Sequence, residues 1–284
     1  MNRKNLFLLL LSVLTVTDAL LAQTQTVLDG AYVREHNPTR KVIAYPYLRE
    51  ADVMWSKRVW EEIDLRQKIN QTLYFPLDEL ENRKSLFDVI RIGLIDQGSI
   101  TAYGLGPTQE DDEFRYPMGQ ELLDSTLNPV MIRYTEDLDT GDKIEVRNVE
   151  PLGSEDVVKF KLKEDWIFDK QRSERYVRII GIAPVVNKYN ESGEVKGTKE
   201  LFWLYYPECR YIFNNYDVFN MHNGSQQMTF DQLFQMRMFH GTIIKEDNVF
   251  NRRIEQSWKG VDALMENERI KNELFTLEHD LWHY

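Results

Sequence analysis

Apolar and polar residues change their spacing along the chain, and the spacing predicts a different element in each region. Between residues 51 and 69 the apolar positions fit a helix with two separated apolar flanks. The first flank holds Trp55, Val59, Trp60 and Ile63, and the second holds Met54, Leu65 and Ile69. A helix that is apolar on two sides needs two partners. Either the chain's own domain covers both flanks, or one flank contacts a neighbouring subunit.

A narrow polar stripe separates these flanks in the predicted helix. Lys57 and Glu61, and likewise Asp64 and Lys68, lie four residues apart and carry opposite charges. Such pairs stabilise a helix by a few tenths of a kcal/mol each. Burying two tryptophans contributes more, at roughly 25 cal/mol per Å², so we expect packing rather than charge to fix this element.

Residues 85–103 predict a second helix and then a short strand. Ser85, with Asp88 three residues later, is a helix-start pattern. Residues 100–103 are typical of a strand. The acidic run that follows, residues 106–113, predicts an exposed loop, either simply solvated or able to bind cations or a basic partner.

From residue 130 onward the pattern favours strands. Residues 131–134 and 143–146 flank a turn at Thr140-Gly141-Asp142 and predict a hairpin. Val158, Phe160 and Leu162 then alternate with Lys159, Lys161 and Lys163, which predicts a strand with one wet, basic face. Residues 176–182 are almost continuously apolar and suit an interior strand paired with residues 202–206.

The end of the chain is predicted to be helical. Thr229 and Gln232 form a capping-box pattern that opens a helix. Two apolar sets follow on nearly opposite faces: Ile254, Trp258, Val261 and Met265, then Ile270, Leu274, Leu277 and Leu281. Either the helix breaks near Asn267, or it is held from both sides.

Together these elements predict an α+β fold, with a mostly antiparallel sheet, flanking helices, an extended N-terminal arm and a helical C-terminal segment. Residues 1–22 have the layout of a cleaved signal peptide, with Arg3 and Lys4 before an apolar run that is too short to span a bilayer. We assign residues 23–50 to the arm, 51–225 to the α+β core and 226–284 to a C-terminal helical segment packing on that core.

The net charge argues against nucleic acid as a partner, and the cysteine content excludes an internal disulfide. Removing the signal segment leaves 33 basic and 45 acidic residues, a net charge of about −12. Nucleic acid is therefore not an expected partner. Cys209 is the single cysteine, so no internal disulfide forms. A buried, small apolar role is favoured for Cys209 over an intermolecular link or a reactive thiol.

The sequence contains no catalytic or metal-binding motif with a distinctive spacing. His279 and His283 are four residues apart, but the zinc-protease order is absent, and cations near a helix C-terminus are the favoured interpretation. Asp137, Asp139 and Asp142 lack the remainder of a calcium loop and are assigned to the hairpin tip. No catalytic residue, cofactor or metal site is predicted.

Several runs of the chain closely resemble one protein family, GldN/PorN. They are Pro46-Tyr47-Leu48-Arg49-Glu50-Ala51-Asp52-Val53-Met54-Trp55, Ile63-Asp64-Leu65-Arg66, Ser85-Leu86-Phe87-Asp88-Val89-Ile90, Thr101-Ala102-Tyr103-Gly104 and Tyr206-Pro207-Glu208-Cys209-Arg210. The resemblance covers nearly all of the chain after the signal segment. It implies a periplasmic ring subunit of the type IX secretion system, which also serves gliding motility where that occurs.

The resemblance also implies partners and a location. These are a GldK/PorK-type outer-membrane lipoprotein, the GldM/PorM-type periplasmic motor protein and copies of the chain itself in a ring. The protein would then lie in the periplasm at the inner face of the outer membrane, with only indirect membrane contact.

Three functions are therefore weighed, of which a non-enzymatic assembly subunit is favoured. The second is a periplasmic module that binds glycan or peptide through aromatic residues such as Trp203, Tyr205 or Tyr206, and the third is a hydrolase. For the favoured function, aromatic and arginine anchors of the kind that dominate interface energies are predicted. They are Tyr45, Tyr47, Arg49, Trp55, Val59 and Trp60.

Overall fold

The structure is a computed structural model, and it describes most of the chain from residue 40 onward. The described residues are 40–78, 80, 83–136, 143–189, 194–220, 223, 225 and 227–281. Side chains are not described for residues 131–136, 143–148, 277, 278, 280 and 281. The predicted signal peptide, residues 23–39 of the arm, the hairpin-tip aspartates and His283 lie outside the described residues.

In the part of the chain that the structure describes, nine β-strands account for most of the regular structure. They are β1 (Val53–Asp64), β2 (Ala102–Tyr103), β3 (Val130–Glu136), β4 (Lys143–Val149), β5 (Val157–Asp169), β6 (Glu174–Tyr189), β7 (Val195–Glu200), β8 (Trp203–Tyr205) and β9 (Thr242–Glu246). β3 and β4 form the predicted hairpin, which is a separate two-stranded sheet.

Seven α-helices are described. They are α1 (Gln71–Tyr74), α2 (Leu86–Arg91), α3 (Gln120–Leu127), α4 (Tyr206–Phe213), α5 (Phe230–Gln235), α6 (Ile254–Ser257) and α7 (Val261–Leu281). α2 continues into a π-helical turn at Ile92–Asp96.

The other seven strands form one antiparallel sheet in the order β2-β8-β6-β5-β1-β9, with β7 paired to β6. β5 and β6 are the long central strands, and β6 pairs with β8 through Gly181 and Ile182, as the sequence predicted. The α+β class with a mostly antiparallel sheet is therefore confirmed. β9 comes from the segment predicted to be helical, and it forms a sheet edge beside β1.

The predicted helix over residues 51–69 is wrong, because most of that segment is the twelve-residue strand β1. Alternate side chains of β1 face opposite sides of the sheet. The proposed helical ion pairs are absent among the described contacts of these residues. Lys57 instead pairs with Glu246 of β9 at 2.7 Å, and Asp64 pairs with Arg66 at 2.8 Å.

Both predicted helix starts are confirmed. The Ser85 hydroxyl accepts a hydrogen bond from the Asp88 backbone N–H at 3.1 Å, and α2 follows it. Thr229 and Gln232 form a reciprocal capping box before α5. Each cap satisfies backbone N–H groups that have no partner inside the helix.

The prediction that one face of β5 is basic and exposed to solvent is wrong. Lys161 and Lys163 are buried, because other segments of the chain cover this side of the sheet and supply carboxylates. The opposite side of β5, with Phe160 and Leu162, packs in the main core.

The first alternative for the C-terminal helix, a break near Asn267, is wrong as well. α7 runs unbroken past Asn267, and the interruption falls earlier, at residues 258–260 between α6 and α7. Gly260 has a φ of +59°, a left-handed conformation that glycine adopts without strain. Asn267 is buried, and its side-chain oxygen accepts a hydrogen bond from the Ile243 backbone N–H at 2.9 Å.

Two apolar clusters lie against the helix-covered face of the sheet. The larger joins sheet residues such as Ile63 and Ile182 to α2, α4 and α5. Within it, the ring of Phe213 contacts those of Tyr206, Phe230 and Phe234 at centroid distances of 5.9–6.4 Å. The smaller joins Val59 and Ile243 to Ile254, Ile270 and Leu274 of α6 and α7.

Candidate interaction surfaces

The described part of the N-terminal arm docks on the body of the protein through its own backbone carbonyls. Asn214 Nδ2 donates to the Arg40 carbonyl at 3.0 Å, and Arg210 Nη2 donates to the Ile43 carbonyl at 2.7 Å. Arg178 Nη2 donates to the carbonyl of Pro46 at 2.6 Å. Side chains of β6 and of the C-terminal end of α4 therefore bind the main chain of residues 40–46, which form neither helix nor strand.

Tyr45 is the side-chain anchor of this arm. Its ring lies 4.2 Å from the guanidinium carbon of Arg210 and 5.3 Å from that of Arg178, which are cation–π distances. Its hydroxyl accepts a hydrogen bond from Gln235 Nε2 at 2.7 Å. Burial raises the pKa of Tyr45, so the hydroxyl stays neutral at physiological pH.

Beside the arm lies an open groove of about 900 Å³. Among the described residues, five cationic residues and one acidic residue, Asp231, line it. Asp231 is already bound by Arg210, with Nε–Oδ1 at 2.8 Å. The described lining thus contains more cationic than acidic residues, in a protein whose net charge is −11. The five cations are Lys41, Arg175, Arg178, Arg210 and Arg237.

The opposite face of the sheet carries buried charged groups under the acidic run of residues 106–113. Lys163 Nζ donates to the Asp112 carbonyl at 2.7 Å and lies 3.2 Å from Asp112 Oδ1. Trp60 Nε1 donates to Asp112 Oδ2 at 2.5 Å. The acidic segment therefore binds a lysine and a tryptophan of its own chain through Asp112.

Two carboxylates and one arginine lie between the two apolar clusters. Arg237 donates to Glu164 Oε1 at 2.7 Å and to Glu61 Oε2 at 3.1 Å. Both glutamates are buried. Burial, and secondarily the charge of Glu164, raises the pKa of Glu61 from 4.5 to about 7.

α7 presents a second apolar stripe that this chain leaves exposed. At 100° per residue, four apolar residues of α7 fall within one sector, away from Ile270 and Leu274. All four are exposed, as is Trp258 just before the helix. They are Val261, Leu264, Met265 and Phe275. The second predicted alternative, a helix held from both sides, is met on one side only, because Ile270 and Leu274 are buried while the other stripe is exposed among the described residues.

A separate apolar depression of about 420 Å³ lies beside α1. Phe75, Leu77 and Leu80 line it and are exposed, and Phe219 completes its apolar lining. Monomeric proteins seldom leave large contiguous apolar patches uncovered, so such patches often mark binding sites.

The structure separates the six predicted interface residues. Tyr45 lies in the groove, Tyr47 is 82% exposed and Arg49 is exposed. Trp55 is half-buried, whereas Val59 and Trp60 are 0% and 7% exposed and lie inside this chain's own core. The interface role of these residues stays a prediction.

The sequence did not identify Arg178 and Arg210 as arm-binding residues, or Leu264 and Phe275 as exposed. The spacing of Val261 and Met265 did indicate a second apolar face on α7. For the arginines no local pattern was available, because each binds a segment more than one hundred residues away.

The aromatic residues considered for ligand stacking are mostly enclosed. Trp203 and Tyr206 are buried, and Tyr205 is partly exposed. Trp203 Nε1 also donates to Glu200 Oε2 at 3.2 Å. Two of these three rings therefore present no open face to a sugar or peptide.

Cys209 is buried, as predicted. Burial raises the pKa of its thiol, which keeps it protonated and unreactive at neutral pH. In the part of the chain that the structure describes, the His, Cys, Asp and Glu residues form no group of three able to hold a metal ion. Among the same residues, no helix has the length and apolar character needed to cross a bilayer.

Comparison with known proteins agrees with the resemblance noted from the sequence. The family model described as gliding motility associated protein GldN matches residues 48–283, which is most of the chain. No match was found among curated proteins. The match begins just after the docked Tyr45 and includes the whole sheet and both apolar clusters. The chain therefore belongs to the GldN family of gliding motility associated proteins.

Proposed function

We propose that this protein is a non-enzymatic structural subunit of a periplasmic ring in the type IX protein secretion system, and serves gliding motility where the organism glides. The observation that carries the proposal is the GldN family match over residues 48–283. The proposed location is the periplasm, at the inner face of the outer membrane, after removal of residues 1–22.

The proposed partners are a GldK/PorK-type outer-membrane lipoprotein, the periplasmic part of a GldM/PorM-type motor protein and further copies of this chain. The exposed apolar residues support an assembly role. Leu264 and Phe275 on α7, and Phe75 and Leu80 beside α1, lie in two separate exposed regions. A subunit held between several partners needs more than one such surface.

The test is assembly of purified components. Residues 23–284 are mixed with the soluble domain of the lipoprotein, and the mass of the product is measured by light scattering after size exclusion. The expected result is a stable complex larger than either component. If the two proteins elute separately as monodisperse monomers at micromolar concentration, the proposal is wrong.

A glycan- or peptide-binding module remains the alternative to an assembly subunit. The enclosure of Trp203 and Tyr206 argues against the form of it in which these rings stack on a ligand. Soaking or titration with cell-wall fragments distinguishes the two, because only the alternative predicts saturable binding to those fragments.

A further inference from the structure

Some arginine side chains in this protein bind carboxylates side-on, through Nε and Nη2 together. Arg58 binds Asp165 in this way, with distances of 2.6 and 2.9 Å. Arg210 binds Asp231 with distances of 2.8 and 3.1 Å. Each pair joins two donors to two acceptors, the geometry that makes arginine selective for carboxylates.

Arg178 has the same two donors but only one acceptor. Its Nη2 donates to the Pro46 carbonyl at 2.6 Å, while its Nε is buried and has no hydrogen-bond partner among the described residues. A main-chain carbonyl supplies one oxygen, so it cannot satisfy the pair as a carboxylate does. Leaving a buried donor unsatisfied costs free energy.

The surroundings of Arg178 favour an acidic peptide over other ligands. Asp231, the one carboxylate that the described residues contribute to the groove lining, is already bound to Arg210. Three methionines also line the groove, and their flexible side chains adapt to apolar groups of different shape. Docked residues 40–46 show that the groove already binds a peptide main chain, through the carbonyls of Arg40, Ile43 and Pro46. The methionines are Met228, Met236 and Met238.

We infer that Arg178 is a docking site for an aspartate or glutamate in an extended acidic segment of a partner protein. The carboxylate accepts from both Nε and Nη2, replaces the Pro46 carbonyl and displaces the arm around Tyr45. The arm thus occupies the site until the partner arrives. The inference rests on the proposed function, in that the acidic segment belongs to another protein of the assembly.

The probe is a fluorescein-labelled peptide of three Glu-Leu-Pro repeats, in which proline favours an extended backbone. Its binding to residues 23–284 is measured by fluorescence anisotropy, beside a matched peptide of three Gln-Leu-Pro repeats. We expect the glutamate peptide to bind about tenfold more tightly, since bonds to a charged acceptor are stronger than bonds to an amide. Equal binding of the two peptides, or no binding of either at about 1 mM, would overturn the inference.

Two variants place the binding at Arg178. Arg178→Lys keeps the positive charge but loses the paired Nε and Nη2 donors. We expect this variant to bind the glutamate peptide about tenfold more weakly. Lys196→Gln removes an exposed positive charge on β7 and should change nothing. Wild-type affinity in Arg178→Lys would contradict the inference.

Hydrogen exchange on the wild-type chain gives a readout that needs no variant. Binding of the glutamate peptide should increase exchange in residues 43–47, because the peptide displaces them. Unchanged exchange at saturating peptide would show that it binds elsewhere, and would overturn the inference. Complex formation with the lipoprotein domain is measured separately, so the peptide experiment can fail while the proposed function stands.

Discussion

The two faces of the central sheet bury charge in different ways. On the helix-covered face, Glu61 and Glu164 share one arginine between two apolar clusters. On the opposite face, which residues 106–113 cover and which we call the loop-covered face, Lys163 pairs with the carboxylate of Asp112. The same carboxylate also accepts a hydrogen bond from Trp60. The helix-covered face thus has two carboxylates, Glu61 and Glu164, that share one guanidinium. On the other face one ammonium group, Lys163, has one carboxylate, Asp112. The free-energy cost of burying an ionised side chain therefore depends on how many oppositely charged groups contact it, as well as on burial.

The largest expected effect comes from the apolar part of the helix-covered face. Phe213→Ala removes a fully buried ring that contacts three other aromatic rings. We expect a loss of about 3–5 kcal/mol in the free energy of unfolding, measured by chemical denaturation. Tyr211→Ala, an exposed position on the same helix, is the matched control and should cost less than about 0.5 kcal/mol. A similar loss in both variants would mean that α4 does not pack as described.

The loop-covered face should respond less strongly. Trp60→Ala removes a buried indole and its hydrogen bond to Asp112, and we expect a loss of about 3 kcal/mol because the covering loop can partly close the cavity. Trp55→Ala, at a half-buried position on the same strand, should cost about half as much. Paired thermal and denaturant unfolding measures both. A larger loss for Trp55 would instead indicate that Trp55 carries the packing of β1.

The unequal charges on the helix-covered face predict a pH dependence. The pKa of Glu61 is about 7 in the folded chain and 4.5 ordinarily, so the folded state binds the proton more tightly. Stability should therefore fall as pH rises from about 4.5 to 7 and level off above that, by up to about 3 kcal/mol. Denaturation at a series of pH values measures the slope.

Glu61→Gln should remove this slope and make the protein more stable at pH 8, by about 2 kcal/mol. The matched control is Glu62→Gln, on the same strand, where the carboxylate pairs with Lys159 outside the cluster. The control should keep the wild-type slope. A slope that persists in Glu61→Gln would assign it to another group.

The smallest effect on stability is expected outside both faces, on the exposed stripe of α7. The double change Leu264→Ser and Phe275→Ser should alter the free energy of unfolding by less than about 0.5 kcal/mol per site. If α7 is an assembly surface, the same variant should lose complex formation with the lipoprotein domain. Val195→Ser, at an exposed apolar position on β7, should leave complex formation intact. Normal assembly by the α7 variant would exclude this stripe as the interface.

The sequence predicted well wherever a few neighbouring residues determine the element. The caps at Ser85 and Thr229 and the strands with clear alternation were found, because their partners lie three residues or one turn away. It failed at β1, where Val59 and Ile63 are four apart and so fit both a helix and alternate positions of a strand. Lys57 and Glu61 lie on the same side of β1 as Val59 and Ile63, so polar and apolar residues do not simply alternate along this strand.

The candidate surfaces were less predictable, and for one physical reason. Lys57, Glu61 and Lys163 looked solvent-facing in the sequence, yet each is covered by a carboxylate or guanidinium from a distant segment. Only the folded chain reveals whether a charge has such a partner. The buried charges and the docked arm were missed for this reason, whereas the second stripe of α7, a local property, was foreseen.

The pairing of β9 with β1 affects how the protein folds during its synthesis. Val59 pairs with Glu246 of β9 and packs against Ile270 and Leu274 of α7, so an early residue depends on late ones. During synthesis from the N-terminus, β1 keeps one edge and part of one face wet until residues 242–274 have emerged. Contacts between such distant residues slow folding and leave strands open to aggregation. A nascent or truncated chain that stops before β9 should therefore need a chaperone, even though most of the sheet is already present.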